Sequence, residues 1–288
     1  MKKWPILILI AACAHLAMIF YWYPKGYISV DESIYHLMAY SLSDYLFSHS
    51  QNAFELPVLF HGAPMIAKYP YLSTLIPSLF YPILNYDALF ILNGISFWVC
   101  LYLTFLIGDN LFNNKQIAYL GAFLFGFTTF AWDYSFAAWP HLFSLCFALC
   151  AALLVLRSFK TGQLTYAFYA GLILGLGLGV RMDLVFLIPG LLLVIFLNTN
   201  TPFRISLYLL LGVLPGLLIL AFVNYLKFDI FFPFLFHAGG LSTFLYHLQA
   251  VWIVIAAAAL LILGRYFKAS LIEHRRPMLY AFLFLIAA

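Results

Sequence analysis

Eight apolar runs, each about as long as a bilayer crossing, decide what this chain can become. They fall near 4–23, 88–107, 116–134, 141–157, 164–180, 183–198, 205–225 and 250–266. A hydrocarbon core about 30 Å thick takes roughly 20 residues of α-helix at about 1.5 Å each. Only 8% of the 288 residues are charged, about a third of the share in a soluble domain. Lipid is therefore the solvent for most of the surface. A transmembrane β-barrel would alternate apolar and polar residues along each strand, whereas Ala250 to Leu263 is apolar without interruption. The expectation is an all-α polytopic membrane protein with eight complete spans. A further run begins near 277 and stops at Ala288, too short to cross. It reads as a truncated ninth span, in the N-terminal part of a longer protein whose C-terminal spans and any soluble domain are missing. Residues 1–288 form one transmembrane domain in this reading.

The stretch 24–87 does not fit the pattern of simple spans. It holds a polar-rich segment, 31–55, then Lys68-Tyr69-Pro70, then an apolar piece, 71–84, carrying Pro77 and Pro82. Two prolines in so short a segment make a poor spanning helix. The expectation is a large first outer loop with short amphipathic helices lying on the membrane surface. The positive-inside rule supports that choice. With the N-terminus cytoplasmic and 24–87 outside, ten of the 14 basic residues fall inside, and Lys25, Lys68, Arg181 and Lys227 fall outside. Lys2-Lys3 ahead of an apolar run resembles the start of a signal peptide. The run from Trp4 to Tyr23 is long enough to span, however, and lacks a small-residue cleavage site, so it reads as a retained first helix.

Eight of the ten acids sort to the outer face: Asp31, Glu32, Asp44, Glu55, Asp87, Asp133, Asp183 and Asp229. Asp31 and Glu32 follow the first span closely. A carboxylate beside a dry pocket has its pKa raised and can serve as a general base, while acids also favour the first turn of any helix. Neighbours on a helix point about 100° apart, so the two acids cannot aim at one atom. Lys68 opens a surface helix, where it can hold a phosphate or snorkel toward headgroups. The run Gly171-Leu-Ile-Leu-Gly175-Leu-Gly177-Leu-Gly179-Val-Arg181-Met-Asp183 combines glycines that let helices approach closely with an Arg between two spans. Such a cation is expensive unless it pairs, here with Asp183, or binds an anion. Asp133 and His141 bracket a short outer loop and are candidates for a second site. Asn224 and Lys227 end another span on the outer side, and Asn224 also suits a cap.

Other chemistries find little support. The cysteines Cys13, Cys100, Cys146 and Cys150 all lie in apolar runs without CxxC spacing, which reads as buried small hydrophobes. No HExxH, P-loop or GxSxG occurs. The outer acids have the chemistry to hold a divalent ion, but none has ligand spacing, so no cofactor is expected. A net charge of +4 spread along the chain does not suggest nucleic acid.

Taken in order, several short motifs resemble the GT-C superfamily of polyprenyl-phosphate-sugar-dependent glycosyltransferases. The nearest likenesses are protein O-mannosyltransferases and the bacterial lipid A aminoarabinose transferase. The motifs are Asp31-Glu32-x-x-Tyr35, Lys68-x-Pro70, Ile107-Gly108-Asp109-Asn110-Leu111-Phe112, Gly171…Gly175…Arg181 and Asn224-Tyr225-x-Lys227-Phe228. The resemblance implies transfer of a sugar from a lipid-phosphate donor to a lipid, glycan or protein hydroxyl outside the membrane. Asp31 would be the general base, with Glu32 beside it. Lys68 and Arg181, with Tyr35, would hold the donor and its departing phosphate. Single displacement would invert the anomeric centre. The setting implied is a bacterial inner membrane. One position departs from the pattern: relatives carry an acid just before the fourth span, where this chain has Pro140-His141, with Asp133 eight residues earlier. Either His141 or Asp133 fills that role, or the subfamily works without one.

Two rival readings come from other classes. A transporter or lipid flippase would account for the outer acids and glycine-rich helices. It calls for internal repeats with helices broken at mid-membrane, and the sequence has no repeat. A non-catalytic membrane subunit is favoured by the short final run and the missing loop acid.

Overall fold

The computed structural model describes residues 4–21, 30–47, 70–228 and 230–234. The expected spans at 250–266 and from 277 lie outside them. So does Lys68, and so do the side chains of Asp31 and Lys227. Among the described residues there are helices and no strands. Two compact units divide the chain, Met1–Cys146 and Phe147–Ala288.

In the first unit, α1 (Trp4–Tyr21) and α2 (Val30–Phe47) precede α3 (Leu72–Leu84). A single 3-10 turn, Asn85–Asp87, joins α3 to α4 (Ala88–Phe112). The helical stretch Leu72–Phe112 runs for 41 residues. That is about 60 Å at 1.5 Å per residue, roughly twice a hydrocarbon core, so it cannot be one crossing. It divides at Asn85, whose φ of 49° lies in the left-handed region. Despite Pro77 and Pro82, α3 is helical, with Ser73, Thr74, Pro77 and Ser78 buried and Ile83 83% exposed. Its hydroxyls satisfy local carbonyls, Ser73 Oγ donating to Pro70 O at 2.6 Å and Ser78 Oγ to Leu75 O at 2.7 Å. Small polar residues inside and large apolar residues outside suit a helix in contact with lipid. Against α3 packs α2, where His36 Nε2 and the Tyr81 hydroxyl share a 3.2 Å hydrogen bond.

The corner between α4 and α5 (Lys115–Thr128) explains one of the motifs. Asn113 takes φ 49°, ψ 36°, and its N–H closes α4 on Asp109 O at 2.9 Å, the left-handed C-terminal cap. Asn114 then caps α5, its Oδ1 accepting from Gln116 N–H at 2.9 Å and Ile117 N–H at 3.3 Å, which replaces two orphaned helical bonds. Gly108 permits the close crossing that follows, since a Cβ there would lie 3.0 Å from Ala118 Cα. The apolar run expected to span 116–134 is broken. Thr128 and Thr129 turn their hydroxyls back onto Leu124 O and Phe125 O, both at 2.6 Å, and α5 stops there. Such back-bonding competes with helix continuation. A one-turn helix, α6 (Ala131–Tyr134), and an irregular loop lead to α7 (His141–Thr161).

In the second unit, α7 ends at Gly162 (φ 69°) and α8 (Leu164–Leu178) follows. After α8 come a 3-10 segment, Met182–Phe186, α9 (Leu187–Asn198) and α10 (Pro202–Phe228). The glycines of α8 meet a matching pair on α10. A Cβ on Gly175 would sit 2.6 Å from Val213 O and 3.3 Å from Gly216 Cα, and one on Gly171 would strike Leu209 O. Two small-xxx-small faces thus bring the backbones into contact, as in lipid-embedded helix pairs.

Among the described residues, three helical stretches are long and apolar enough to cross a membrane: Leu72–Phe112, His141–Thr161 and Pro202–Leu226. Ile8–Tyr21, Leu164–Leu178 and Met182–Asn198 are shorter apolar helices. The chain is an integral membrane protein.

Gly175→Val is expected to drive α8 from α10 and lower the detergent melting temperature sharply. Gly121→Ala, on α5 with nothing within 4 Å of the new Cβ, is expected to add about 0.5–1 kcal/mol through helix propensity. Differential scanning fluorimetry of both variants checks the contrast. Burial lowers the pKa of His36 from its ordinary 6.5. Below 6.5 the unfolded chain then binds a proton that folded α2 resists, so packing of α2 on α3 is intact above that pH and weakens below it. Amide protection factors in α2, corrected for the intrinsic pH dependence of exchange, should fall as the pH drops below about 6.5.

Candidate functional site

The loop from Thr129 to Pro140 is the best-organised polar region of the first unit, because three buried side chains from three helices hold it, two by its backbone and one by Ser135. The first is Glu32 on α2, only 1% exposed, whose Oε1 accepts from Ala138 N–H at 2.9 Å. Asn93 on α4 is the second, also 1% exposed. Its amide donates to both Ala137 O and Trp139 O, each at 2.6 Å. The third is His15 on α1, 4% exposed, whose Nε2 lies 3.0 Å from Ser135 Oγ.

The His15 contacts fix its protonation by logic alone. The Trp98 indole has only a donor, and it lies 3.2 Å from His15 Nδ1, so Nδ1 accepts. The ring is therefore neutral, with its hydrogen on Nε2 pointing at Ser135. Ser135 Oγ passes its own hydrogen to Trp132 O at 2.6 Å. The rings of Phe97, Trp132 and Phe136 surround the imidazole, their centroids 4.9–5.4 Å from its own. Every polar atom of the chain Trp98–His15–Ser135–Trp132 has a partner, as a dry interior demands.

Local sequence makes these attachments possible. A Cβ on Gly94 would meet Ile19 Cδ1 at 2.5 Å and Leu16 Cδ2 at 2.9 Å, so α1 crosses α4 beside Asn93. Ile19, Ile34, Tyr35, Met38, Leu89, Phe90, Phe136 and Ala138 form one apolar cluster around that crossing. Thr129 Oγ1 accepts from Ala131 N–H at 3.1 Å and starts the turn of α6.

The expected site residues fall as follows. Asp31 is in the first turn of α2. Glu32 faces inward, onto the loop. Tyr35 is 5% exposed within the apolar cluster. Asp133 is exposed on α6. His141 opens α7, half-buried, with its ring 4.5 Å from that of Tyr134 and 5.4 Å from that of Trp139. In the second unit, Arg181 pairs with Asp183. Its Nε lies 3.1 Å from both carboxylate oxygens, and Nη2 lies 2.7 Å from Oδ2. Of the two readings of that Arg, the ion pair is present. Asn224 is not a simple cap. Buried, it donates to Phe232 O at 2.8 Å and Pro233 O at 3.0 Å, folding the following chain back on α10. Among the described residues no group of three His, Cys, Asp or Glu is placed to hold a metal.

His15 and Asn93 were missed at the sequence level. Their signal was available: a polar side chain inside an apolar span is costly and needs a named partner.

No curated protein and no solved structure matches this chain. A family model does, over residues 63–226, more than half of the chain, and it describes dolichyl-phosphate-mannose-protein mannosyltransferases. The match takes in α3 to α10 up to Leu226, including the pinned loop, Arg181 and Asn224. The chain belongs to the dolichyl-phosphate-mannose-protein mannosyltransferase family, membrane glycosyltransferases of the GT-C type.

Proposed function

We propose that the protein transfers a sugar from a polyprenyl-phosphate donor to an acceptor hydroxyl on the extracytoplasmic side of a plasma membrane. The family match over 63–226 carries this reading. It is supported by the bias of basic residues to the cytoplasmic face and by an outer loop that three helices hold in one conformation. The acceptor is a lipid, glycan or protein.

In this reading Asp31 is the general base. It takes the proton from the acceptor hydroxyl as the oxygen attacks the anomeric carbon. The bond from that carbon to the phosphate oxygen breaks, and the configuration inverts. Negative charge gathers on the departing lipid phosphate, where Lys68 and Arg181 serve as counter-charges. For Arg181 the Asp183 carboxylate has two effects. It orients the guanidinium fork, and it partly neutralises it, so the anion is met by a positioned but tempered cation. Tyr35, Asn224 and Lys227 have supporting places, and Asp133 or His141 takes the place of the loop acid that relatives carry. The cytoplasmic N-terminus is part of the same proposal.

Glu32 has a different task from its neighbour. A carboxylate held by Ala138 N–H supports the loop, and a glutamine offers that N–H the same acceptor. Asp31→Asn should abolish transfer with little change in melting temperature, whereas Glu32→Gln should retain a substantial part of it. Glu32→Ala orphans a buried N–H and should cost about 1–3 kcal/mol of stability. Sugar transfer from radiolabelled polyprenyl-phosphate sugars in membranes, alongside thermal unfolding, checks all three. Full activity of Asp31→Asn would overturn the assignment of the base.

A further inference from the structure

We infer that His15, inside the first apolar helix, is a positioning residue for sugar transfer, acting through Ser135 to set the loop that carries Asp133 and His141. The inference deepens the proposed function and rests on it for its kinetic part. Its structural part stands on separate observations.

A neutral imidazole in an aromatic surround is not required for packing, since a phenyl ring fills similar volume without polar atoms to satisfy. His15 nevertheless has a partner at each nitrogen, Trp98 at 3.2 Å and Ser135 at 3.0 Å. The donors run in one direction: Trp98 N–H to His15 Nδ1, His15 Nε2–H to Ser135 Oγ, Ser135 O–H to Trp132 O at 2.6 Å. The chain ends on a carbonyl of α6, the turn that contains Asp133. His15 is 120 residues from Ser135 in sequence, so the bond constrains the loop against a different helix, not against its own turn. Asn93 and Glu32 then fix Ala137, Ala138 and Trp139 a few residues further on. Within this set, Ser135 carries the hydrogen bond that ties the α6 side of the loop to another helix. Around it α6 has local backbone bonds, such as Phe136 N–H to Asp133 O at 3.2 Å, and ring contacts of Trp132 with Phe97 and of Tyr134 with His141.

The fitting experiment compares His15→Phe, His15→Gln and Ser135→Ala in the full chain. His15→Phe keeps a ring and loses both polar atoms, while His15→Gln keeps an N–H able to reach Ser135. Transfer from a mannosyl-phosphate polyprenol is measured in membranes, as kcat and KM separately. In parallel, each variant carries Cys13→Ala, to remove the exposed thiol, and Ala131→Cys as a reporter on α6. Ala131 is buried, so maleimide should not reach the reporter in the parent. Cys100, also buried, reports on the helices themselves.

His15→Phe and Ser135→Ala should each lower kcat by about 100-fold, the scale of a misplaced catalytic element, with KM for the donor little changed. The double variant should be no worse than either single one, because both cut the same chain. His15→Gln should recover most of the rate. Maleimide should reach the reporter in His15→Phe while Cys100 stays protected. The inference is overturned if the reporter stays protected in His15→Phe with kcat intact, or is labelled already in the parent. Labelling of the reporter and Cys100 together, without rescue by glutamine, would also overturn it, since His15 would then only hold the helices together. If the parent transfers no sugar, the proposed function fails and the kinetic part falls with it. The labelling still decides whether His15 holds the loop.

Discussion

A polar group in hydrocarbon must find its partner inside the protein, because no water is there to take the place of one. In the first unit that requirement couples four elements at once. Glu32, His15 and Asn93 come from α2, α1 and α4, and each is nearly sealed from solvent. None could be left unpaired without a cost of about 1–3 kcal/mol, more for the carboxylate. Glu32 and Asn93 find their partners on the backbone of an irregular loop, and His15 bonds Trp98 on α4 and Ser135 in that loop. The loop in turn has carbonyls and N–H groups that no helix satisfies. Each side supplies what the other lacks, so the loop acquires one conformation without regular structure of its own.

The second unit meets the same constraint by removing side chains. Gly171 and Gly175 on α8 face Gly212 and Gly216 on α10, with distances that leave no room for a methyl group. Between helices in lipid there is little hydrophobic gain from contact, so close van der Waals approach has to supply the attraction. The glycine run therefore stabilises the pair that ends at Arg181. It also places Arg181 at a defined break: Val180 and Arg181 N–H both bond Gly177 O, at 2.8 and 3.0 Å, and the chain then turns extended into the 3-10 segment.

Features with local causes were legible in the sequence, and features with distant causes were not. The glycine spacing and the Arg181–Asp183 pair involve residues within a few positions of each other, or a periodicity of four. Both were readable from the string. Ile107 to Phe112 stood out as a motif without an explanation, and the explanation lies just beyond it, in the Asn113-Asn114 corner and the close crossing at Gly108. The break of the 116–134 run was harder, because two threonines look apolar enough to continue a span. Their hydroxyls, bonding back to the preceding turn, decide otherwise. Least legible were His15 and Asn93, whose partners are 120 and 44–46 residues away. Single residues at that separation leave no pattern. The only signal is their chemical misfit with the apolar runs around them.

The adjacent acids at the start of α2 gain meaning from this arrangement. One acid suffices to hold Ala138, and helix geometry sends consecutive side chains in directions about 100° apart. The pair is thus better understood as two single functions placed side by side than as a dyad. Under the proposed function Asp31 is the base and Glu32 holds the loop, so chemistry and support fall to separate carboxylates. That division of labour is why exchanging the carboxylate for an amide has opposite expected consequences at Asp31 and Glu32.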